Sequence, residues 1–369
     1  MKTVGILTRH VYPNYGSLLQ AHALQSAISS FGPQCNVIDY YPMTDHPMRL
    51  ASSRLRESRM RDSPIKRAAY LAIQTPNMAG MSVRFRGFQR THLSLTETCA
   101  DADSITDAIK EIDVVVAGSD QIWNSVHGQL DPVYFLSGQP SEKKFSYAAS
   151  FGSGSPSATD SERVVHWLGD YRKVSVREPS AQSSLTSIGI ESRVDIDPVL
   201  LHNQDYWTEF SAAQPQARSK YILVYQLHNT PDFNQRLKLI SERHGLPVRR
   251  VTPDAKIFLT SRAFDYLVTP EKFVSLFRDA AVVVTDSFHG TAFSLLYGKP
   301  IYALLPERNY TRNIDLLASV GLSHLATSVD QDLPADPHYD PEPVSGKLRS
   351  QAAESWKYVR DIATAGDRI

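Results

Sequence analysis

One stretch of the sequence combines residues that could carry out acid–base chemistry. It is Asp286-Ser287-Phe288-His289-Gly290-Thr291, and it directly follows the β-branched run Val282-Val283-Val284-Thr285. A strand that runs straight into a helix would put His289 at the carboxyl end of the strand and in the first turn of the helix. An imidazole there can give or take a proton near neutral pH. Gly290 has no side chain, so a ligand can approach the backbone closely. The first N–H groups of a helix can also bind an anion. We predict that His289 is catalytic; the alternative is a histidine fixed in a helix cap. The substrate contacts predicted from this stretch are Ser287, Gly290 and Thr291.

Two further strand ends carry charged side chains. Asp120 follows the apolar run Val114–Ala117, and Arg177 follows Val174-Ser175-Val176. Asp120 could accept a proton, although a lone aspartate at a strand end is also a common helix cap. Arg177 could bind a carboxylate or phosphate through two hydrogen bonds, or it could pair with Glu178 or another neighbour. We predict Asp120 as a catalytic residue and Arg177 as a substrate-binding residue.

Two loops that lead into helices complete the candidates. They are Asn14-Tyr15-Gly16-Ser17 and Tyr310-Thr311-Arg312-Asn313. The first lacks the GxGxxG and GxxxxGK[ST] patterns of nucleotide-binding loops, and it could be a simple helix start. Arg312 is a candidate for binding an anion. The sequence has no HxxxH pair and no carboxylate cluster that indicates a metal site. The substrate contacts predicted from these loops are Asn14, Tyr15, Gly16, Arg312 and Asn313.

The elements that must position these residues follow an α/β rhythm in two series. Continuous valine runs are typical of parallel strands that are covered on both faces. Two successive doubly wound domains would leave a cleft between the carboxyl ends of their strands, where ligands usually bind. The predicted parts are a domain at 1–205 with a basic helical insertion at about 43–95, a second domain at 215–330, and a loop and helix at 331–369. The periodicity predicts this last helix over about 347–364.

The composition excludes several classes of protein. The chain has 369 residues, with 39 Lys+Arg against 39 Asp+Glu, so its formal net charge is zero. That balance argues against a protein that coats nucleic acid through bulk charge. Its two cysteines exclude a disulfide scaffold and fit a reducing compartment. No signal peptide and no apolar run of membrane-spanning length is recognisable, so we expect a soluble cytoplasmic protein.

Five segments, taken in their order and spacing, resemble the polysaccharide pyruvyl transferase family. They are Asn14–Ala21, Gly118–Asn124, Ser175–Glu178, Asp195–Leu201 and Ser287–Ala292. The resemblance implies a fold like that of the two-domain GT-B glycosyltransferases, with two Rossmann-like halves. It also implies a reaction, the transfer of pyruvate from phosphoenolpyruvate to two hydroxyls of a sugar, which forms a cyclic ketal on a surface polysaccharide or its precursor.

The resemblance also implies roles for individual residues. His289 matches the catalytic histidine of the family, and Arg177 matches the arginine that holds phosphoenolpyruvate. Asp120 matches an acidic residue of the site, which could take a proton from an acceptor hydroxyl. Phosphoenolpyruvate is then a co-substrate, and no cofactor or metal is expected. The partners are phosphoenolpyruvate and a glycan acceptor that could be lipid-linked.

One position departs from the family pattern. Some members read Arg-Leu-His-Gly where this chain reads Ser287-Phe288-His289-Gly290. An anion-binding cation must then come from elsewhere, and Arg312 and Lys299 are the candidates. Two alternatives stay open: a GT-B-like glycosyltransferase with a nucleotide-sugar donor, and a non-catalytic member of a glycan-assembly system.

The charges are unevenly spread along the chain. Residues 49–92 hold ten lysines and arginines against Glu57 and Asp62, whereas residues 101–142 are acidic. These patches could be solvated faces or could neutralise each other. The sharper hypothesis is peripheral contact of the basic 49–92 region with the inner face of a membrane that carries the acceptor.

Overall fold

The computed structural model describes residues 1–42, 45–56, 62–124, 130–152, 156, 159–228, 232–252, 264–306, 310–328 and 331–365. Parts of the predicted basic insertion, including Arg59 and Arg61, lie outside the described residues. So do residues 366–369 of the predicted carboxyl-terminal segment.

The first half of the chain forms a parallel α/β domain. Its strands are β1 (Thr3–Leu7), β2 (Gln34–Val37), β3 (Val114–Ala117), β4 (Lys144–Ser146), β5 (Ser175–Val176) and β6 (Arg193–Val194). Its helices are α1 (Tyr15–Ser29), α2 (Pro47–Arg56), α3 (Pro64–His92), α4 (Ala102–Ala108), α5 (Ser161–Leu168), α6 (Pro179–Ser187) and α7 (Gln204–Phe210). Helix α7 crosses the domain end predicted at residue 205.

The strand order of this half is that of a Rossmann sheet. Strands β2–β1–β3–β4 are parallel neighbours, and β5 pairs with β6. Isolated parallel bridges extend this sheet at both edges. They pair Val37 of β2 with Leu95 and Tyr40 with Cys99, and they place β5 beside β4. The chain order therefore reverses between β1 and β3, and such a reversal opens a crevice at the carboxyl ends of the strands.

The second half repeats this design with a complete six-stranded sheet. Its strands are β7 (Ile222–Tyr225), β8 (Val248–Thr252), β9 (Phe264–Tyr266), β10 (Val282–Thr285), β11 (Ile301–Leu304) and β12 (Ala326–Thr327). Its helices are α8 (Phe233–His244), α9 (Pro270–Asp279), α10 (Phe288–Leu296) and α11 (Thr311–Ser319). All neighbours in the order β12–β11–β10–β7–β8–β9 are parallel. The reversal here lies between β7 and β10.

The valine runs form the centre of each sheet, as predicted. Every residue of β3 and β10 is buried. In β10, Val283 belongs to the apolar core on one face of the sheet, whereas Val282 and Val284 belong to the core on the other. Side chains alternate between the faces of a strand, and helices cover both faces, so no polar alternation appears in the sequence.

A last helix, α12 (Pro341–Thr364), joins the two domains. Near its start, Val344 and Leu348 pack in the core that includes the second domain, and near its end Tyr358 and Ile362 pack in the core of the first. The Tyr358 hydroxyl donates to the carbonyl oxygen of Ser146 at 2.8 Å. The prediction that the carboxyl-terminal helix packs back is therefore confirmed, although the helix begins six residues earlier than predicted.

The described part of the insertion between β2 and residue 95 is mostly helical, and helix α3 contacts both domains. On the first domain, Arg86 binds the Asp39 carboxylate with both terminal nitrogens, at 2.6 and 2.8 Å. On the second domain, the Tyr266 hydroxyl donates to Asn77 at 2.7 Å, and His92 lies 3.3 Å from Glu271. In the described parts of the chain, no helix is both long and apolar enough to cross a membrane.

Candidate active site

The candidate active site lies where the carboxyl ends of the two sheets meet. The first domain contributes residues that follow β1, β3, β5 and β6, and the second contributes residues of α10 and α11. These residues are Ser17, Asp120, Gln121, Arg177, Glu178, Asp197, His289 and Arg312. Each sheet therefore brings side chains from distant parts of the chain to the edge where its strand order reverses.

Thr285, the last residue of β10, fixes the start of α10. Its hydroxyl donates to the Tyr225 carbonyl oxygen at 2.6 Å and accepts from the Ser287 N–H at 3.0 Å. A Cβ atom on Gly290 would lie 2.2 Å from the Thr285 hydroxyl oxygen, so only glycine fits this contact between helix and strand. Ser287 caps the helix by accepting from the Gly290 N–H at 3.4 Å. His289 is thereby held in the first helical turn, as predicted.

His289 faces the first domain. Its side chain is 5% exposed, and its Nε2 atom lies 3.5 Å from the Asp197 carboxylate. It has no hydrogen-bond partner at Nε2 among the described residues. On the other side of the ring, a Cβ atom on Gly16 would lie 2.0 Å from Nδ1. The imidazole is thus held between Gly16 and Asp197.

Gly16→Ala is expected to lower kcat by about 10²-fold, because the new methyl group must displace the imidazole and a shift of about 1 Å can cost that much. The measurement is turnover with phosphoenolpyruvate, the donor that the sequence analysis predicts, in the presence of an acceptor. Gly80→Ala is the matched control, since nothing lies within 4 Å of a Cβ atom at that position of α3. Equal activity of the two variants would contradict the close approach of Gly16 to His289.

Asp120 adopts a backbone conformation that is rare for residues other than glycine. Its φ angle is 77°. The carboxylate accepts two hydrogen bonds: the Ser17 hydroxyl donates to Oδ2 at 2.5 Å, and the Gln121 N–H donates to Oδ1 at 2.8 Å. Burial alone would raise the pKa of Asp120, but the charges of Arg177 and His289 and the Ser17 hydrogen bond outweigh it, and the pKa is lowered. The carboxylate is therefore ionised and can accept a proton.

Arg177 is a buried arginine with two carboxylate partners. Its Nε donates to Glu178 at 2.9 Å and its Nη1 to Asp197 at 2.6 Å. Its guanidinium also lies over the Phe288 ring of the second domain, 4.2 Å from the ring centroid. Burial would lower the pKa of Arg177, but Glu178 and Asp197 outweigh this effect and raise it. Nη2 is left without a partner among the described residues.

Asp197 links Arg177 to His289. Its Oδ1 accepts from the Val199 N–H at 3.1 Å, and its Oδ2 faces both Arg177 and His289. Burial would raise the pKa of Asp197, but His289 and Arg177 more than offset this and lower it. An ionised Asp197 therefore lies beside the ring nitrogen Nε2 of His289.

Arg312, in the first turn of α11, is the second cation of the site. With the Gln121 amide assigned so that its oxygen faces the guanidinium, that oxygen accepts from Nη1 at 2.7 Å and from Nη2 at 2.6 Å. Burial and the nearby charge of Arg177 lower the pKa of Arg312 to about 10. Its Nε has no partner among the described residues. Among the residues that the structure describes, no carboxylate bonds directly to Arg312, in contrast to Arg177.

The predicted residues outside this cluster have packing or capping roles. Asn14 caps α1 by accepting from the Gly16 N–H at 2.8 Å. Tyr15 is fully buried between the domains, where it stacks on Phe273 with ring centroids 4.5 Å apart. Thr291 and Asn313 hydrogen-bond to each other at 3.1 Å.

Lys299 is not near the cluster in the fold. It precedes β11, so it lies at the amino end of that strand, whereas the cluster lies at the carboxyl ends. Of the two predicted replacements for the missing arginine, only Arg312 reaches the site.

Four residues of the cluster were not predicted as site residues. Ser17 and Gln121 each follow a predicted residue, whereas the signal for Asp197 was only that it lies inside a segment that carries the family resemblance. Glu178 was considered only as an ion-pair partner of Arg177, which is the contact observed.

Two Rossmann-like domains that meet at a polar site between their carboxyl edges define a GT-B-like protein. The structure of Staphylococcus aureus MnaA with UDP is similar to this chain, with a TM-score of 0.50 and 11% identity over 96% of this chain and 88% of that chain. The model of the family described as polysaccharide pyruvyl transferase matches residues 14–307. This chain belongs to that family, and it is therefore a transferase of polysaccharide modification.

Two other solved structures are less similar. A putative UDP-N-acetylglucosamine 2-epimerase from Listeria monocytogenes has a TM-score of 0.48 and 12% identity, over 99% of this chain and 91% of that chain. The spinosyn rhamnosyltransferase SpnG has a TM-score of 0.44 and 11% identity, over 99% and 96%. A comparison with curated proteins gave no match. At these identities the likeness is one of fold alone.

Within the described ranges, no three His, Cys, Asp or Glu side chains are grouped so that they could hold a metal ion. That the reaction needs no metal stays a prediction.

Proposed function

We propose that this protein transfers pyruvate from phosphoenolpyruvate to two hydroxyls of a sugar in a polysaccharide or its precursor, forming a cyclic ketal. The observation that carries the proposal is a set of buried polar atoms at one site that have no hydrogen-bond partner among the described residues. They are Nη2 of Arg177, Oε2 of Glu178, Nε2 of His289 and Nε of Arg312. An unpaired buried polar atom costs about 1–3 kcal/mol, so a site with several is built to receive a polar ligand.

The net charge of the site suits the binding of an anion when His289 is protonated. Arg177 and Arg312 face three carboxylates, those of Asp120, Glu178 and Asp197. With a neutral imidazole this set has a formal charge of −1, and with an imidazolium it is neutral. Protonation of His289 therefore favours donor binding, and the same proton is available for the reaction.

The proposed reaction uses that proton first. His289 gives it to the methylene carbon of phosphoenolpyruvate, which becomes a methyl group, and C2 becomes electrophilic. A sugar hydroxyl attacks C2 and gives its proton to Asp120. The bond from C2 to the phosphate oxygen then breaks, phosphate leaves, and the second hydroxyl closes the ketal. The two sugar hydroxyls release two protons in all. One replaces the proton that His289 gave to the methylene carbon, and the other leaves on the phosphate.

Each cation has a proposed role in this sequence. The free Nη2 of Arg177 and the guanidinium of Arg312 would bind the carboxylate and phosphate of the donor. Arg312 would thereby replace the arginine found two residues before the histidine in some family members. We further propose that the acceptor is lipid-linked, so that the enzyme works at a membrane surface.

Phosphoenolpyruvate at millimolar concentration is expected to raise the midpoint of thermal unfolding by a few degrees. Arg312→Met should abolish this rise, because it removes a donor contact. The variant should not unfold at a lower temperature without ligand, since burial already disfavours the charge of Arg312. Arg349→Met, which changes an exposed arginine in α12, is the control and should keep the rise.

Two results of this measurement would contradict the proposal. One is the absence of any shift with phosphoenolpyruvate in the folded native protein. The other is stabilisation by UDP, the ligand in the Staphylococcus structure, without stabilisation by phosphoenolpyruvate, which would favour a nucleotide-sugar donor.

A further inference from the structure

The outward side of helix α3 is apolar, which is unusual for a helix at a protein surface. At about 100° per residue, Ile65, Ala72, Pro76 and Val83 fall within about 40° of one another, and all four are exposed. From Ile65 to Val83, a sector of about 140° contains no polar side chain. The other members of this sector are Ala68, Ala69, Ile73, Ala79 and Gly80.

The opposite side of α3 already fills the protein core. Its buried residues are Tyr70, Gln74, Met78, Met81, Phe85 and Gln89. Helix α3 therefore has an apolar side toward the protein and a second apolar side toward solvent. Only the first is explained by the packing of the chain.

The large side chains of the outer sector are unusually exposed. Ile65 is 82% exposed, Val83 is 75% exposed and Ile73 is 64% exposed. Apart from Met1, these three and Met48 of the neighbouring helix α2 are the most exposed large apolar side chains in the described part of the chain. Such clustering marks a surface that binds something.

The charges on α3 indicate what that partner is. No residue from Pro64 to His92 is acidic. Lys66 and Arg84 border the apolar sector, Arg67 lies in the first turn and Arg90 near the last, and all four are exposed. Apolar side chains with flanking lysines and arginines are typical of helices that lie in the interface of an anionic bilayer.

We propose that this outer face of α3, defined by Ile65, Ile73 and Val83 with Lys66, Arg84 and Arg90, rests on an anionic phospholipid surface. Ile65 and Val83 are about 27 Å apart along the helix, so α3 would lie parallel to the membrane. A second copy of the chain fits less well, because a two-fold contact through α3 would bring like charges together without a carboxylate on the helix.

This orientation would place the candidate active site directly beneath the membrane-bound helix. On the inner side of α3, Phe85 packs against Tyr15 with ring centroids 5.1 Å apart. Tyr15 is followed by Gly16, which touches His289. The membrane contact itself does not depend on the proposed chemistry, whereas its use for a lipid-linked acceptor rests on the proposed function.

Co-sedimentation with vesicles tests the contact, using phosphatidylcholine alone and phosphatidylcholine mixed with phosphatidylglycerol, at low and high salt. We expect binding to the mixed vesicles that salt weakens. One variant removes the apolar side chains: Ile65→Ser, Ile73→Ser and Val83→Ser combined. Another removes the charges: Lys66→Gln, Arg84→Gln and Arg90→Gln combined. Each should bind the mixed vesicles at least about tenfold more weakly than the native protein.

The matched control is Leu239→Ser combined with Lys357→Gln, which changes an exposed leucine and an exposed lysine outside α3 and should bind like the native protein. The proposal is overturned if the native protein does not bind the mixed vesicles, or if both α3 variants bind them as the native protein does. It is also overturned if the native protein is a dimer that the apolar variant dissociates, which would make a second copy the partner. Phosphoenolpyruvate should stabilise the native protein and all of these variants equally. If it stabilised none of them, that result would count against the proposed function and not against the membrane contact.

Discussion

His289→Gln will lower the rate of phosphate release from phosphoenolpyruvate, in the presence of an acceptor, by about 10²- to 10⁴-fold. Glutamine nearly preserves the volume and polarity of the side chain, but it cannot hold and release a proton near neutral pH. The imidazole is held by contacts with Gly16 and Asp197, and Nε2 makes no hydrogen bond to any described residue, so the loss should fall on kcat rather than on folding. The measurement is phosphate release with a panel of p-nitrophenyl glycosides as acceptors.

The control for this variant is His324→Gln, which changes an exposed histidine and should leave the rate unchanged. Binding of phosphoenolpyruvate by the His289 variant is measured separately by thermal unfolding. A His289→Gln protein that turns over within a factor of about three of the native rate would remove the imidazole from proton transfer, whatever its effect on binding.

Arg177→Met will lower the free energy of unfolding by about 3–5 kcal/mol, since it removes one partner of a buried ion cluster. Glu178 and Asp197 would each lose a hydrogen bond from the guanidinium, at 2.9 and 2.6 Å, and both carboxylates are almost inaccessible to solvent. The stacking on Phe288, which joins the two domains, would also be lost. Denaturant unfolding followed by circular dichroism gives the change.

An exposed pair provides the comparison for Arg177. Arg349 lies 2.9 Å from Glu342, with side chains 62% and 78% exposed, and Arg349→Met should cost no more than about 1 kcal/mol. Adding Asp197→Asn to the Arg177 variant should restore part of the lost stability, because it removes one of the unpaired charges. A cost for Arg177→Met as small as that for Arg349→Met would mean that water reaches the cluster and that the site is open.

The sequence was sufficient to predict the central strands of both sheets. Continuous runs such as Val282–Thr285 leave few alternatives to a covered parallel strand, and this run forms β10. The short edge strands β9 and β12 were missed, because two or three residues carry no readable alternation. The start of α12 was also missed, although Asp340 and Pro341 form a recognisable cap and first turn.

The candidate active site was predictable in its strand ends but not in its contacts. His289, Asp120 and Arg177 follow strands and were predicted as site residues from residue type and position. Tyr15 also belongs to a predicted motif, yet its hydroxyl donates to the carbonyl oxygen of Val268 at 2.9 Å inside the domain interface. Nothing in the local sequence encodes a contact across 253 residues, so a motif alone could not separate packing from binding.

The bridging helix α12 also has a consequence for how the chain folds during synthesis. Val4, Ile6 and Leu24 of the first domain share a core with Tyr358, Val359 and Ile362. About 170 residues separate the last strand of that domain from the end of the helix, and a ribosome needs roughly 10 to 30 s to add them. The amino-terminal domain therefore leaves the ribosome with one side of its sheet partly uncovered. Chaperones that bind nascent chains would meet this surface first, and removing α12 should turn a folding protein into one that aggregates.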